Sequence, residues 1–496
     1  MQHNKVIRGV SLSRLVSRAS ALAIVAVLAL PIAVWAHAHL RRSDPSARAR
    51  VTTPPTAIRL WFTERPELGF TRVQLRAADT TEIALGAATR LSDDPMGVAI
   101  AIPRALTPGS YTVLWRTAAA DGHATTGSFT FEVVGAVPAA VAVDSNRPPI
   151  SGHALVRVDS TTEQLPSINV SAATRWLEFM AMLAVIGGVV FQLIVLPRAE
   201  RAMAGALPAE TRLEIAASTR KLAQSALILL AITALSRLYG EASAVLGPDR
   251  PINRAALGTI LGTSWGRGWL VGIVGILVTA AGIILVRRVN AGAGWLVAAL
   301  GALAIGGSPA LTGHASATDP VALAIAADVG HVCAACAWMG TLLTVLFAAM
   351  PLVRAERSME VIGSGPLVAS LVRAFHPIAL ACAAIVVVSG LISAWLRLPT
   401  VASLGSSMYG RVLLLKLAFV AIVLVLGFRN WRRVLPTLGD DAAARRITRT
   451  AGAELTAAAL VLAVTAVLVS TSPPEVAERG ARGVDSASSP PSTPGP

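Results

Sequence analysis

Eight long apolar runs constrain the fold of this chain more than any other feature. A membrane-spanning helix needs about 20 mostly apolar residues, and each run approaches or exceeds that length. From residue 171 onward, the sequence therefore predicts an all-α polytopic membrane domain of eight transmembrane helices. The runs cover residues 172–196, 222–238, 267–286, 293–309, 321–345, 374–395, 411–428 and 455–471.

The basic residues between these runs predict the orientation of the membrane domain. If the first helix starts outside, the inward-facing loops carry 16 Lys or Arg, and the outer loops with the adjoining helix ends carry seven. Cytoplasmic loops carry such an excess of basic residues. Membrane topology thus explains the formal net charge of +15, and a nucleic-acid partner is excluded. The inward-facing loops are 197–221, 287–292, 353–373 and 429–449.

Residues 1–36 predict a secretory signal peptide. Basic residues precede an apolar run, and Val34-Trp35-Ala36 has the small and aliphatic side chains of a cleavage site. An uncleaved anchor helix is the alternative, although the run is short for a full span. Cleavage after Ala36 would give His37 a free α-amino group beside its imidazole. These two nitrogens can chelate one ion, which suits Cu(II).

Residues 37–134 predict an all-β sandwich of the immunoglobulin-like kind. Apolar residues alternate in Ile58, Leu60 and Phe62 and in four later segments, with Pro and Asp-Gly turns between them. Asp121 and His123 flank a hairpin turn, and an N-terminal strand could bring His37 to the same end. The other predicted segments are a linker at 135–170, the membrane domain at 171–473 and a disordered outer tail at 474–496.

The N-terminal domain contains His37-Ala38-His39-Leu40, Leu106-Thr107-Pro108-Gly109 and Asp121-Gly122-His123 in that order. It resembles the periplasmic copper-binding family CopC. In that family the mature N-terminal histidine and the Asp and His of the DGH motif bind Cu(II). The resemblance implies the same roles for His37, Asp121 and His123. A further ligand could be His39, which lies two residues along the strand and on the same side as His37.

The membrane domain carries a second set of motifs, which includes Ser389-Gly390-Leu391, Tyr409-Gly410-Arg411 and Lys416. These resemble the copper-resistance membrane protein family CopD. The whole chain therefore resembles a natural CopC–CopD fusion. Only Met96 is a methionine within the sandwich, so the methionine-rich Cu(I) site of some CopC relatives is not expected.

Ionisable residues inside the membrane mark candidate functional positions. Asp328 and His331 are three residues apart on the fifth run and share a helix face, so the carboxylate could orient the imidazole as a metal ligand or proton relay. A structural hydrogen bond between helices is the alternative. Lys416 is expected to pair with an acid that the sequence does not identify. His314, in a short outer loop, could accept copper from the sandwich or be merely solvated.

Cys333 and Cys336 also lie on the fifth run. As thiolates they would suit Cu(I) in the membrane domain, whereas as thiols they would pack like small core residues, and the Ala-rich surroundings favour packing. Cys333 lies about 200° around the helix from His331, so one ion cannot use both from this helix. The three cysteines, which include Cys382, all lie in apolar runs and offer the sandwich no disulfide.

These observations predict a copper-homeostasis protein of the cytoplasmic membrane, with the sandwich and the tail outside. The sandwich would bind Cu(II) and hand copper to the bundle for import, with a periplasmic or extracellular copper chaperone as a partner. No nucleotide-binding motif is present, so an ATP-driven pump is not expected. The chain is also not expected to be an enzyme. Two alternatives stay open: an electron-transfer protein in which His331, His376 and His314 ligate b-type haem, and copper buffering or sensing without transport.

Overall fold

The structure is a computed structural model. It describes residues 40–62, 65–118, 124–134, 167–204, 207–246, 253–313, 315, 318, 320–352, 364–398, 400–434 and 441–469. An N-terminal β domain is followed by a helical region. The predicted signal peptide, most of the predicted linker and the predicted tail lie outside the described residues, as do the predicted site residues His37, His39, Asp121, His123 and His314.

Two antiparallel-rich sheets form the β domain. One sheet has the strand order β1-β3-β7-β6, and the other has the order β2-β9-β8-β4-β5. The strands are β1 Leu40–Asp44, β2 Arg50–Val51, β3 Ala57–Phe62, β4 Arg72–Ala77, β5 Glu82–Ile83, β6 Ala88–Arg90, β7 Gly97–Ala101, β8 Gly109–Ala118 and β9 Ala124–Val133.

The alternating apolar residues of the sequence form the core between the sheets. Ile58, Leu60 and Phe62 of β3 are all buried, as are the inward-facing residues of β7, β8 and β9. Phe62 and Trp115 meet edge to face across the two sheets, with ring centroids 5.3 Å apart. The predicted all-β sandwich is confirmed. Its short strands β2, β5 and β6 have two or three residues each, too few for a period-two pattern to show.

The helical region contains eight helices long and apolar enough to cross a membrane among the described residues, as the apolar runs predict. The α1 helix continues through a π-helical segment, Phe191–Val195, into α2. The helices are α1 Ser167–Val190, α2 Leu196–Ala202, α3 Ala209–Leu246, α4 Arg254–Leu261, α5 Ser264–Arg288, α6 Ala291–Thr312, α7 Val321–Thr344, α8 Ser364–Arg397, α9 Ser403–Ser406, α10 Met408–Arg429 and α11 Asp441–Val469.

Several helices begin well before the apolar run that predicted them. The α3 helix starts at Ala209, whereas the run starts at residue 222, because its first turns contain charged residues that are good helix formers without being apolar. Close packing in the bundle depends on small residues. Gly187 of α1 and Gly340 of α7 touch backbone to backbone, so a Cβ at either position would collide with the other helix. This contact fixes the rotation of α7, which carries Asp328 and His331.

Candidate functional site

A polar cluster lies between α7, α8 and α10. His331 is half-buried, and its Nδ1 lies 3.0 Å from the Ser389 hydroxyl of α8. The Ser389 hydroxyl lies 2.6 Å from the Ile385 carbonyl, to which it donates its single hydrogen. Ser389 must therefore accept from His331, which places the imidazole proton on Nδ1. The His331 ring also interacts with the backbone of Val386 on α8. In this tautomer Nε2 carries the lone pair of the ring, the form in which histidine binds metals or accepts protons.

Asp328 forms hydrogen bonds with residues of the same cluster other than His331. One of its oxygens accepts from Ser393 Oγ at 3.0 Å, and the other accepts from Arg397 Nη2 at 2.6 Å. The sequence suggested that Asp328 would orient the His331 ring. In the structure Ser389 holds the ring instead, because the i, i+3 spacing directs both α7 side chains toward α8, where each meets its own partner.

Two further polar side chains of α10 complete the cluster. The Tyr409 hydroxyl interacts with Arg397, and Lys416 interacts at longer range with Asp328. Within the part of the chain that the structure describes, Lys416 forms no ion pair at 4 Å or less. Asp328 therefore interacts with two cations, Arg397 and Lys416. When His331 is neutral, the cluster carries one net positive charge.

The remaining sequence candidates on α7 face away from this cluster. The Cys333 thiol packs on the α6 backbone at Gly306, where an added Cβ would collide with its Sγ atom. Cys336 is buried in the main core of the bundle. Across the described ranges, no three His, Cys, Asp or Glu side chains lie close enough together to hold a metal ion. In this part of the chain, His331 thus offers a single imidazole ligand rather than a complete site.

His331 and His376 lie at different depths of the bundle. His331 contacts Ser389, which is 13 residues beyond His376 on α8. At 1.5 Å per residue, this separation is about 20 Å along the helix axis. One haem iron cannot bind both side chains, so the structure argues against a b-type haem shared by this pair.

The two sheets of the sandwich end together on one side. Leu40, where β1 begins, pairs with Phe62, and Phe62 packs on Trp115 near the end of β8. Ala118 pairs with Ala124 at the end of the β8–β9 hairpin. The strand ends that lead to residues 37–39 and to residues 119–123 therefore lie at the same end of the domain.

This end of the sandwich rests on the helical region. The short 3₁₀ helix Leu68–Phe70 inserts Phe70 among Ile260 of α4, Trp265 of α5 and neighbouring side chains, where Phe70 is only 3% exposed. The Ser264 hydroxyl donates to the Glu67 carboxylate beside it. The sandwich thus contacts the bundle through the buried Phe70 side chain and through one polar contact, between Ser264 and Glu67.

The polar cluster lies toward the end of the bundle on which the sandwich docks. Gly268, near the start of α5, packs against Thr312 at the end of α6. Farther along α6, Gly307 faces Val329 of α7, which neighbours Asp328. Ser264, where the sandwich docks, and Asp328 therefore lie near the same end of the bundle.

Sequence reasoning missed Ser389, Ser393, Arg397 and the docking segment at Glu67–Phe70. Ser389 belonged to a family motif, and Arg397 was noted only as an outer charge. No local pattern identifies which helix faces His331, because that choice depends on packing between helices far apart in the sequence.

Three protein-family models match the chain. A CopC domain covers residues 40–134, and a copper resistance protein D-like N-terminal domain covers residues 167–323. The copper resistance protein D model covers residues 369–468.

Individual relatives match the same regions. Protein YobA of Escherichia coli strain K12 is 39% identical over 113 residues, which are 23% of this chain and 91% of YobA. Copper transport protein CutJ of Bacillus subtilis strain 168 is 23% identical over 453 residues, covering 90% of this chain and 76% of CutJ. The crystal structure of CopC from Methylosinus trichosporium OB3b is 25% identical, with a TM-score of 0.19, and matches 21% of this chain and 98% of that one.

Proposed function

Because this chain belongs to the copper-resistance and copper-transport family that joins a CopC domain to a CopD membrane domain, we propose that it carries copper inward across the cytoplasmic membrane. The sandwich lies outside, binds Cu(II) and hands copper to the bundle. A periplasmic or extracellular copper chaperone supplies the ion. The protein acts as a carrier and catalyses no reaction.

The Cu(II) ligands in this proposal are the α-amino group and imidazole of His37, the carboxylate of Asp121 and the imidazole of His123, with His39 as a further ligand. Three nitrogens and one oxygen suit a tetragonal Cu(II) site. Support comes from the strand ends at Leu40, Ala118 and Ala124, which lie together on one side of the sandwich.

The observation that carries the transfer step is the docking of that same end on the bundle. Phe70 and Glu67 hold it against α4 and α5, at the end of the bundle that also contains the polar cluster of α7, α8 and α10. Copper released from the sandwich would enter the bundle without first diffusing into bulk solvent, and His314, two residues after the end of α6, would receive it.

Within the bundle, His331 binds copper transiently through Nε2. A carrier must hold its ion strongly enough for it to enter and weakly enough for it to leave. A single oriented imidazole meets that requirement better than a closed ligand set would. Asp328 and Lys416 act through charge rather than as ligands, because Asp328 is bound to Ser393 and Arg397.

One experiment separates capture from passage. Full-length protein in proteoliposomes is assayed both for Cu(II) bound at equilibrium and for copper accumulated inside. One residue inserted before His37 turns its amine into an amide, so Cu(II) affinity should fall by orders of magnitude and the electron paramagnetic resonance spectrum should change. His331→Ala should abolish accumulation and leave external Cu(II) binding intact.

The matched control for His331→Ala is Cys333→Ala, on the opposite side of α7, which should accumulate copper normally. Normal accumulation by His331→Ala would reject its role in passage, and unchanged binding after the insertion would reject the N-terminal ligand. If no variant and no condition gives accumulation although Cu(II) binds, the protein buffers or senses copper instead.

A further inference from the structure

A second feature of the bundle is a cavity that lies apart from the polar cluster. A cavity of about 410 Å³ opens between α7, α8, α10 and α11. Its volume falls in the range of small-molecule and cofactor pockets, roughly 300–1,000 Å³. Most of its wall is apolar, and flat aromatic side chains are prominent: Trp338, Phe375, Phe428 and Trp431.

Polar groups gather at one end of this cavity. Glu454 of α11 is only 6% exposed and accepts a hydrogen bond from the Asn430 side chain. The half-buried His376 ring stacks on Trp431, with centroids 6.1 Å apart and planes 11° apart. Asn430 has a second amide hydrogen, and His376 has a ring N–H in either neutral tautomer. The cavity therefore presents hydrogen-bond donors next to a carboxylate.

The mouth of the cavity faces the lipid. Leu380 is 65% exposed and Phe428 is 52% exposed on the outer surface of helices that span the membrane. A molecule that enters by this route must dissolve in the bilayer. It must also complement donors at the inner end, because burying polar groups without partners costs free energy.

We propose that this lateral cavity binds an isoprenoid quinone. The planar ring stacks among the aromatic side chains, its carbonyl oxygens accept from His376 and Asn430, and its apolar tail leaves past Leu380 and Phe428. A quinone brings two carbonyl acceptors that match these donors and a planar ring that matches the aromatic walls. An acyl chain alone would leave the donors unused.

This site is independent of the proposed copper route. His376 lies about 20 Å along α8 from Ser389, the residue that holds His331. The binding test below uses no copper, and its outcome does not depend on whether the protein transports the ion.

The test uses full-length protein in lipid nanodiscs that lack quinone. Ubiquinone-1 is titrated while tryptophan fluorescence is recorded, since Trp338 and Trp431 line the cavity. Saturable quenching is expected. Gly427→Leu should weaken it at least tenfold, because an added Cβ meets only Glu454 Oε1, at 4.0 Å, and the larger side chain then fills the cavity rather than straining the fold.

Gly452→Leu is the matched control, because an added Cβ there meets nothing within 4 Å and Gly452 does not line the cavity. It should bind ubiquinone-1 like the unmodified protein. A parallel titration uses phospholipid with brominated acyl chains. If the brominated lipid quenches and ubiquinone-1 neither quenches nor competes, the cavity is an acyl-chain groove and the proposal is wrong. Equal quenching by ubiquinone-1 in Gly427→Leu would also overturn it.

Discussion

Two buried ion pairs in the described part of the bundle differ in what surrounds them. Glu178 of α1 binds Arg237 of α3 with contacts of 2.8 and 3.1 Å, and their side chains are 13% and 12% exposed. Asp328 of α7 binds Arg397 of α8 at 2.6 Å, with side chains 23% and 17% exposed. The first pair is electrically neutral. Lys416 interacts electrostatically with both members of the second pair, and His331 lies one helical turn from Asp328 on α7.

This difference distinguishes a structural role from a functional one. The Glu178–Arg237 pair satisfies both of its charges and carries Arg237 over the Trp265 ring, 5.8 Å from the centroid. The Asp328 cluster keeps one uncompensated positive charge and one available imidazole nitrogen inside the membrane. Because such groups are costly there, they are expected to serve function rather than stability.

The largest expected effect follows from breaking the neutral pair. Glu178→Ala leaves the Arg237 charge buried without its partner, which should cost about 3–5 kcal/mol of stability. The measurement is unfolding of the purified protein in detergent. The double variant Glu178→Ala/Arg237→Met should recover most of the loss, and copper accumulation per folded molecule should stay normal. A single variant as stable as the unmodified protein would contradict a structural role for the pair.

A smaller effect is expected from Ser389→Ala in the second cluster. Without this acceptor the His331 ring loses its fixed tautomer and orientation, and loss of such a partner typically lowers metal affinity by about 10- to 100-fold. Accumulation at limiting copper should fall by that factor while stability changes little. Ser389→Thr keeps the hydroxyl and should restore accumulation.

The control for Ser389→Ala is Ser393→Ala, one turn along α8, which removes a contact to Asp328 and leaves the ring held. Its accumulation should exceed that of Ser389→Ala. Equal losses in the two serine variants would show that the cluster responds to any polar deletion and that Ser389 does not position His331.

The sequence predicted most of the fold because each element carries its own pattern. Period-two alternation in residues such as Ile58 and Leu60 identified the core strands, and apolar length identified the eight spans. Local pattern also placed Asp328 and His331 on one helix face. It could not supply Ser389 or Arg397, since those contacts span 58 and 69 residues and depend on the rotation of whole helices.

The docking surface was unpredictable for a similar reason. Phe70 belongs to a three-residue 3₁₀ helix between strands, and its apolar side chain looks like any other core residue of the sandwich. Only the folded chain shows that it packs on Ile260 and Trp265 of the helical region. Contacts between domains require complementary surfaces, which residue periodicity does not encode.

Lys416→Met is expected to have the smallest effect on stability. It removes a charge from the Asp328 cluster, whereas Glu178→Ala removes one from the neutral pair. Since Asp328 is already neutralised by Arg397, removing the Lys416 charge should leave stability unchanged or slightly raised, whereas Arg237→Met in the neutral pair should destabilise by leaving Glu178 alone. The positive charge of Lys416 also opposes a copper cation at His331. Its removal should strengthen copper retention in the bundle by an amount on the order of 1 kcal/mol, or several-fold. Unfolding measurements and copper retained by washed proteoliposomes would check both effects. If Lys416→Met is as destabilising as Arg237→Met, Lys416 is a structural partner of Asp328, and the two clusters do not differ in kind.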